Sequence, residues 1–512
     1  MTSVREPSAS KQRILSNLVV MGSGQLVTWL ISTLYLVLIS RYLGPTLQGQ
    51  LSRAGYAILL FSLVLSLGME GYLTRAVART PERAGELTTA IIIVRAALLI
   101  PIFAGLLLYI NLTHLGAQAR VITYILFLGM VIGTLAGPLT AALMGREQMG
   151  LSTAGAVFQN VFELILVGLV LLLHGGVVVF AATNVLMSLS LLLLNLYWTR
   201  NSIRLTRHTS IGVLWEVTKG GLGFWIGGVL YNFYLYIDAA ILGYYAGDTA
   251  VGIYAPATRM FAVPLFLPGI IAGATLPLLS RLGLGGQQDF ARVARKTLAL
   301  LIITSVPLAI GTATFARPLI LTIFGRKYAD SVPVLQVLSL CIPSTFLAIQ
   351  FYQMVVARDQ QWRWNIIMAI GCVVNPLLNL LLISYAVYHW HNGALGAAWT
   401  LVATEGLMMV YGVAILRDVV LHRELARALG SALAAGAAQG MVLFATRTLW
   451  APLGEALGVA AYIAVIFALG ALPREELVLL WRTGLNQGRK LYARTRVRPA
   501  IGTMPPESLN GS

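Results

Sequence analysis

Stretches of roughly 20 apolar residues, the length that crosses a bilayer as a helix, recur from the first thirty residues almost to Pro473. Short turns carrying Arg, Gly, Pro or His separate them, and no gap is wide enough for a soluble domain. Inside a bilayer each backbone N–H and C=O must be satisfied within its own segment, so this pattern dictates an all-α polytopic membrane protein. We place about fourteen transmembrane helices, near residues 15–40, 54–79, 87–109, 121–144, 151–174, 177–198, 220–242, 252–280, 297–315, 332–357, 364–388, 394–416, 429–449 and 453–472. Composition agrees: 58% of the chain is hydrophobic and 11% charged, and the mean hydropathy is +0.80. Lipid is its solvent.

The net charge of +17 would suggest nucleic acid on a soluble domain, but here the basic residues sit mainly in the connections and report topology instead. With the N-terminus inside, roughly 26 Lys and Arg fall on the cytoplasmic side against about seven outside. The outer set is Arg41, Arg53, Arg120, Arg317, Arg326, Lys327 and Arg447. Both termini are therefore expected to be cytoplasmic in a multi-pass protein of the cell inner (plasma) membrane, with no nucleic-acid partner. The first apolar stretch is too long for a signal peptide's core and is read as a retained helix. Cys341 and Cys372 lie in apolar stretches and read as small buried hydrophobes, not as a disulfide or metal site.

The chain echoes itself. Tyr42, Gly44, Thr46, Gly49 and Ala54 follow the first span, and Tyr245, Gly247, Thr249, Gly252 and Ala257 follow the seventh at a constant offset. Arg146-Glu147-Gln148 and Arg358-Asp359-Gln360 follow the fourth helix of each half. Six helices separate the echoes, an even number, so the halves share orientation about an axis along the membrane normal. The expected organisation is two pseudo-symmetric six-helix bundles, 1–199 and 200–428, two extra transmembrane helices at 429–473, and a cytoplasmic tail at 474–512. In that tail Leu477, Val478, Leu480, Trp481 and Leu485 among Arg482, Arg489, Lys490 and Arg494 fit an interfacial helix on anionic lipid or a solvated basic tail, with a disordered stretch from Pro499.

Ionisable groups inside spans each cost several kcal/mol unless paired or wet, so they are the local pointers to function. There are seven: Glu70, Arg75, Arg95, Glu163, Asp238, Arg259 and Glu405. Counted along alternating helices, Glu70 matches Arg95 in depth and Asp238 matches Arg259, so each couple is a candidate ion pair. Such pairs fix helix register, or their guanidinium groups hold a phosphate or pyrophosphate. Arg75, near the cytoplasmic mouth with no acidic neighbour in sequence, is an anion-site candidate or a snorkelling arginine. Glu163 and Glu405 lie near mid-bilayer without a basic neighbour, which suits a proton carrier. Asn375, aligned with Glu163, and Asn160, Asn184 and Asn379 form a polar path or interhelical hydrogen bonds. Substrate-binding candidates are thus Arg75, Arg95, Arg259, Asn375 and Asn379; ion-coupling candidates are Glu163, Glu405, Glu70 and Asp238. Pro264, Pro268 and Pro277 should make the eighth span irregular. The chain lacks a GxxxxGK phosphate loop and its six His are scattered, so nucleotide, cofactor, metal and enzymatic roles are not expected.

Several motifs in fixed order carry a resemblance: Arg41-Tyr42-Leu43-Gly44-Pro45 with Gly49; Ser66-Leu67-Gly68-Met69-Glu70-Gly71 leading to Arg75; Ile237-Asp238; and Gly252-Ile253-Tyr254-Ala255-Pro256-Ala257-Thr258-Arg259. Asn375-Pro376-Leu377-Leu378-Asn379-Leu380 and Gly393-Ala394-Leu395-Gly396-Ala397-Ala398 complete the set. The chain resembles the polysaccharide biosynthesis proteins, or Wzx-type lipid-linked oligosaccharide flippases, of the multidrug/oligosaccharidyl-lipid/polysaccharide exporter superfamily. The resemblance implies two bundles around a central cavity that carry an undecaprenyl-pyrophosphate-linked glycan to the outer leaflet, coupled to a proton or sodium gradient. It also implies glycosyltransferase or glycan-polymerase partners in surface polysaccharide synthesis, such as O-antigen, lipopolysaccharide or exopolysaccharide. Span 15–40 has no acid, unlike drug exporters of the superfamily, and no Arg before Arg41, unlike peptidoglycan-precursor flippases. A cation-coupled exporter of small molecules is the alternative.

Overall fold

The computed structural model describes residues 7–200, 203–206, 209–283, 287–447 and 451–470. The expected tail helix and disordered stretch, 474–512, lie outside the described residues. Seventeen α-helices are described: α1 (Pro7–Ser66), α2 (Met69–Arg79), α3 (Ala84–Leu112), α4 (Ala117–Gly145), α5 (Met149–Leu172), α6 (Val177–Thr199), α7 (Ile211–Tyr245), α8 (Gly247–Phe261), α9 (Phe266–Gly283), α10 (Gln287–Ile323), α11 (Ser331–Ser339), α12 (Ile342–Ala357), α13 (Gln361–Trp390), α14 (Gly393–Ile415), α15 (Arg417–Val420), α16 (Arg423–Ala445) and α17 (Ala451–Ala468). No strand occurs among the described residues.

Among the described residues ten helices are long and apolar enough to cross a membrane, or twelve if each bent pair counts as one span. The expected fourteen exceeds this count. One reason is that α1 runs through both of the first two expected spans with a single non-helical residue, Gly44 (φ 75°, ψ 176°). Another is that the last apolar helix, Pro452–Ala468, is shorter than a full span.

Helix breaks follow glycine and proline. The helical segment that enters the second expected span, 54–79, starts at Pro45, where a fixed φ suits a first helical turn, and breaks at Leu67 and Gly68, both at positive φ. The eighth bends by 45° between α8 and α9, as its prolines predict. The tenth also bends, by 49° between α11 and α12; Pro343 occupies the first turn of α12, a position where its missing N–H leaves no helical bond unmade.

The sequence echo has a backbone counterpart. Gly44 and Gly247 both take positive φ, at 75° and 79°, and Glu147 and Asp359 do so at 62° and 55°. Where α1 crosses α8, a Cβ on Gly49 would collide with the Asp248 carbonyl and one on Gly252 with the Pro45 carbonyl. These two contacts exchange under the repeat offset. Between them Thr46 and Thr249 face each other, Oγ1 to Oγ1, at 3.0 Å. Lipid offers no hydrophobic drive to helix association, so close backbone contact through small residues supplies packing energy here. Arg53 on α1 adds an ion pair to Asp248 at 2.9 Å, and Tyr328 donates to the Ser40 carbonyl at 2.8 Å.

Between α2 and α3, Arg83 grips Glu216 near the start of α7 through two bonds of 2.9 and 3.1 Å. Tyr72 donates to the same carboxylate at 2.7 Å, and Trp225 donates to the Leu63 carbonyl at 2.7 Å. Outside the spans, burial pushes the Asp418 carboxyl up, but hydrogen bonds from Arg358 outweigh it and hold it below its ordinary value. The chain divides into two compact units, Met1–Leu425 and Ala426–Ser512. The crossings, breaks and ion pairs above lie in the first. In the second, α16 and α17 pack where Gly458 meets Leu443 and Gln439. Cys341 and Cys372 are both free, Cys341 buried.

Candidate functional site

The intramembrane charges sort into separate places. In the first half, Arg95 of α3 donates to Glu70 of α2 at 3.1 Å and to the Thr134 carbonyl of α4 at 3.1 Å. The pair predicted from equal depth is therefore formed. It borders a cavity of about 400 Å³ among α1, α2, α3, α4 and α6.

Asp238 and Arg259 do not form the expected pair. Asp238, 2% exposed, accepts from Asn379 Nδ2 of α13 at 2.7 Å and from the Tyr254 hydroxyl at 3.5 Å. Arg259 points instead to α1, donating to Ser32 at 3.2 Å and to Thr33 at 3.0 Å. Depth alone did not settle the pairing, because Tyr254 and Arg259 are five residues apart on α8. That spacing turns them about 140° around the helix axis, and only the Tyr254 face meets Asp238.

The second half therefore holds a buried polar core. Asn375 and Asn379 sit on one face of α13, both fully buried, with Asn379 Nδ2 also donating to Asn375 Oδ1 at 2.7 Å. Glu405 of α14, 7% exposed, accepts from Tyr234 at 3.1 Å and from Thr345 at 2.9 Å. Tyr234 also lies 3.0 Å from Thr404 Oγ1. Two carboxyls thus share one core and take neutral hydroxyl and amide donors. Tyr234, Tyr254 and Thr345 were missed from sequence, where no pattern separates a hydroxyl turned to a carboxyl from one bonded to its own helix.

The remaining candidates stand apart. Glu163 of α5 is half-buried and takes a hydrogen bond from Tyr35 of α1. Arg75 is exposed on α2. Asn184 lies against Gly129 of α4 at the first-half cavity, and Asn160 donates to the Ala156 carbonyl of its own helix at 2.7 Å. No cluster of three or more His, Cys, Asp or Glu able to hold a metal ion occurs among the described residues.

A multi-pass helical fold with matched turns in its halves and charges inside its spans defines a polytopic α-helical membrane protein. The chain belongs to the polysaccharide biosynthesis protein family, whose pattern matches residues 14–283. A second family pattern, MatE, matches residues 225–381. A probable flippase, AglR of Haloferax volcanii, is 26% identical over 246 residues. That match covers 47% of this chain and 49% of the relative, so the chain spans about half the length of the curated relative it matches. Among solved structures, lipid II flippase MurJ in an inward closed conformation superposes with a TM-score of 0.70 at 14% identity, over 87% of this chain and 98% of that one. An inward-facing multidrug resistance MATE family transporter of the MOP superfamily gives 0.62 at 14% identity, over 79% and 99%. At such identities the likeness is one of fold.

Proposed function

We propose that this protein is a secondary-active flippase that moves a polyprenyl-pyrophosphate-linked oligosaccharide from the inner to the outer leaflet for surface polysaccharide biosynthesis. The observation that carries this reading is Arg259. It sits where α8 of the second half meets α1 of the first, bridging them through Ser32 and Thr33 hydroxyls. A guanidinium offers fixed donors that match phosphoryl oxygens, and hydroxyl partners are exchanged for a phosphate at little loss. Arg75, exposed on α2, is the second phosphate candidate. Arg95 is engaged by Glu70, and Asn375 and Asn379 face Asp238, so these three serve their neighbours rather than the pyrophosphate.

Coupling is assigned to the second-half core, where Asp238 and Glu405 lie together. Glu163 on Tyr35 is a separate candidate, and Glu70 is committed to Arg95. The protein works as a carrier in the plasma membrane with both termini cytoplasmic, between glycosyltransferases that build the glycan and a polymerase or ligase that consumes it. The MatE match over 225–381 favours, for that half alone, the alternative of a cation-coupled small-molecule exporter.

Reconstitution into proteoliposomes with a labelled polyprenyl-pyrophosphate oligosaccharide tests the reading. Arg259→Ala should slow translocation about tenfold or more, the scale of one charge-assisted hydrogen-bonding site. Unchanged translocation would remove Arg259 from the phosphate path, and no translocation by the parent chain would sink the flippase itself.

A further inference from the structure

The cavity of about 400 Å³ in the first half is built, not left over. Glycines recur every four residues on α4 at 129, 133 and 137, a spacing that lines them up on one face. A Cβ on Gly137 would collide with Glu70 Oε1, and one on Gly129 with Asn184 Oδ1. The bare face therefore lets polar side chains lie against the α4 backbone and keeps space beside them. Ser62, Ser66 and Ser188 add hydroxyls to the lining. Arg95 is 3% exposed, and although its two terminal nitrogens bond Glu70 and Thr134, its Nε is buried without a partner.

The charges at the cavity cancel. Glu70 balances the charge of Arg95, so a phosphate arriving here would face a carboxylate and a guanidinium whose charge is already paired. A hydrocarbon tail would strand the ion pair and the amide. What fits is a neutral group that both donates and accepts many hydrogen bonds, as a pyranose ring does. A volume of about 400 Å³ is near the lower end of small-ligand sites, roughly 300–1,000 Å³, and suits a single sugar residue better than a whole glycan.

We propose that this first-half cavity is a sugar subsite, in which Glu70, Asn184 and the serine hydroxyls hold one neutral hexose ring. The assignment rests on the flippase reading, since it names where part of that headgroup lodges. The phosphate and the sugar are then held by different parts of the chain, Arg259 at the seam and Glu70–Arg95 within the first half.

The test uses the purified full-length chain carrying Cys341→Ala, Cys372→Ala and Ser188→Cys, with alkylation of the new thiol by a small thiosulfonate reagent as readout. Glucose, galactose, mannose and N-acetylglucosamine are the probes, against inorganic phosphate, pyrophosphate and glycine betaine at matched osmolarity. At least one hexose should slow alkylation threefold or more while phosphate and betaine leave it unchanged. Adding Ser62→Ala, which removes a hydroxyl at nearly constant volume, should raise the half-protecting hexose concentration about fivefold. Equal protection by every solute, protection by phosphate alone, no protection, or an unreactive thiol would each overturn the subsite. Translocation of the lipid-linked glycan, measured separately, distinguishes the two failures: flipping without hexose protection removes the subsite and keeps the flippase, and protection without flipping does the reverse.

Discussion

At the scale of single residues, Asp238 and Glu405 are the buried carboxyls of the second half's polar core. A carboxylate held only by hydroxyl and amide donors in a span is expensive to keep charged, and it is retained where charge has to come and go. If the pair couples transport to an ion gradient, Asp238→Asn and Glu405→Gln should each keep the fold, since an amide occupies nearly the same volume. Each should also lower gradient-stimulated translocation at least tenfold, with a smaller change in downhill exchange. Comparing proteoliposome uptake with and without an imposed proton or sodium gradient checks this. A variant with the parent's full gradient response would release that residue from the coupling role. The Glu70–Arg95 pair was legible in the sequence because adjacent helices at equal depth happened to turn the right faces together. Asp238 and Arg259 were not, because equal depth says nothing about rotation around α8, and the Tyr254 hydroxyl occupies the face toward Asp238.

At the scale of elements, the crossing of α1 and α8 concentrates the packing that the echoed glycines make possible. The carbonyls that a Cβ would strike at Gly49 and Gly252 belong to backbone, which cannot swing aside as a side chain would. Gly49→Ala and Gly252→Ala should therefore each destabilise the protein by about 1–3 kcal/mol, the usual range for overpacking. Because both changes force apart the same two helices, the double variant should lose less than the sum of the single losses. Thermal unfolding in detergent of the three variants reads this directly, and strict additivity would show that the two contacts are independent. The echo itself was visible in sequence as Gly44, Thr46 and Gly49 against Gly247, Thr249 and Gly252. The Arg53–Asp248 ion pair beside it was not. Asp248 has no acidic counterpart in the first half, where the equivalent position is Pro45, so the repeat gave no cue that the two would meet. The helix breaks divide the same way: the prolines after α8 announce one, whereas the positive φ at Leu67 depends on packing that composition does not reveal.

At the scale of the whole molecule, the two halves are fastened at both ends of the helices that join them. One end holds Thr46–Thr249, Arg53–Asp248 and the glycine crossing. The other holds Arg83 and Tyr72 on Glu216, and Trp225 on the Leu63 carbonyl. Arg259, in α8, links the same two halves through Ser32 and Thr33. On the proposed flippase reading, a headgroup carried between leaflets passes one fastening and then the other, so each has to open in turn. Thr46 and Thr249 offer a test, because their hydroxyl oxygens are 3.0 Å apart and a disulfide of about 2.05 Å can join cysteines at such positions. In a chain carrying Cys341→Ala and Cys372→Ala, Thr46→Cys with Thr249→Cys should crosslink under mild oxidation. Translocation should then stop while the bridge is intact and return on reduction, with each single cysteine variant unaffected by the oxidant. Continued translocation through the bridged protein would mean that this crossing is a fixed pivot, and that only the end held by Glu216 opens during the cycle.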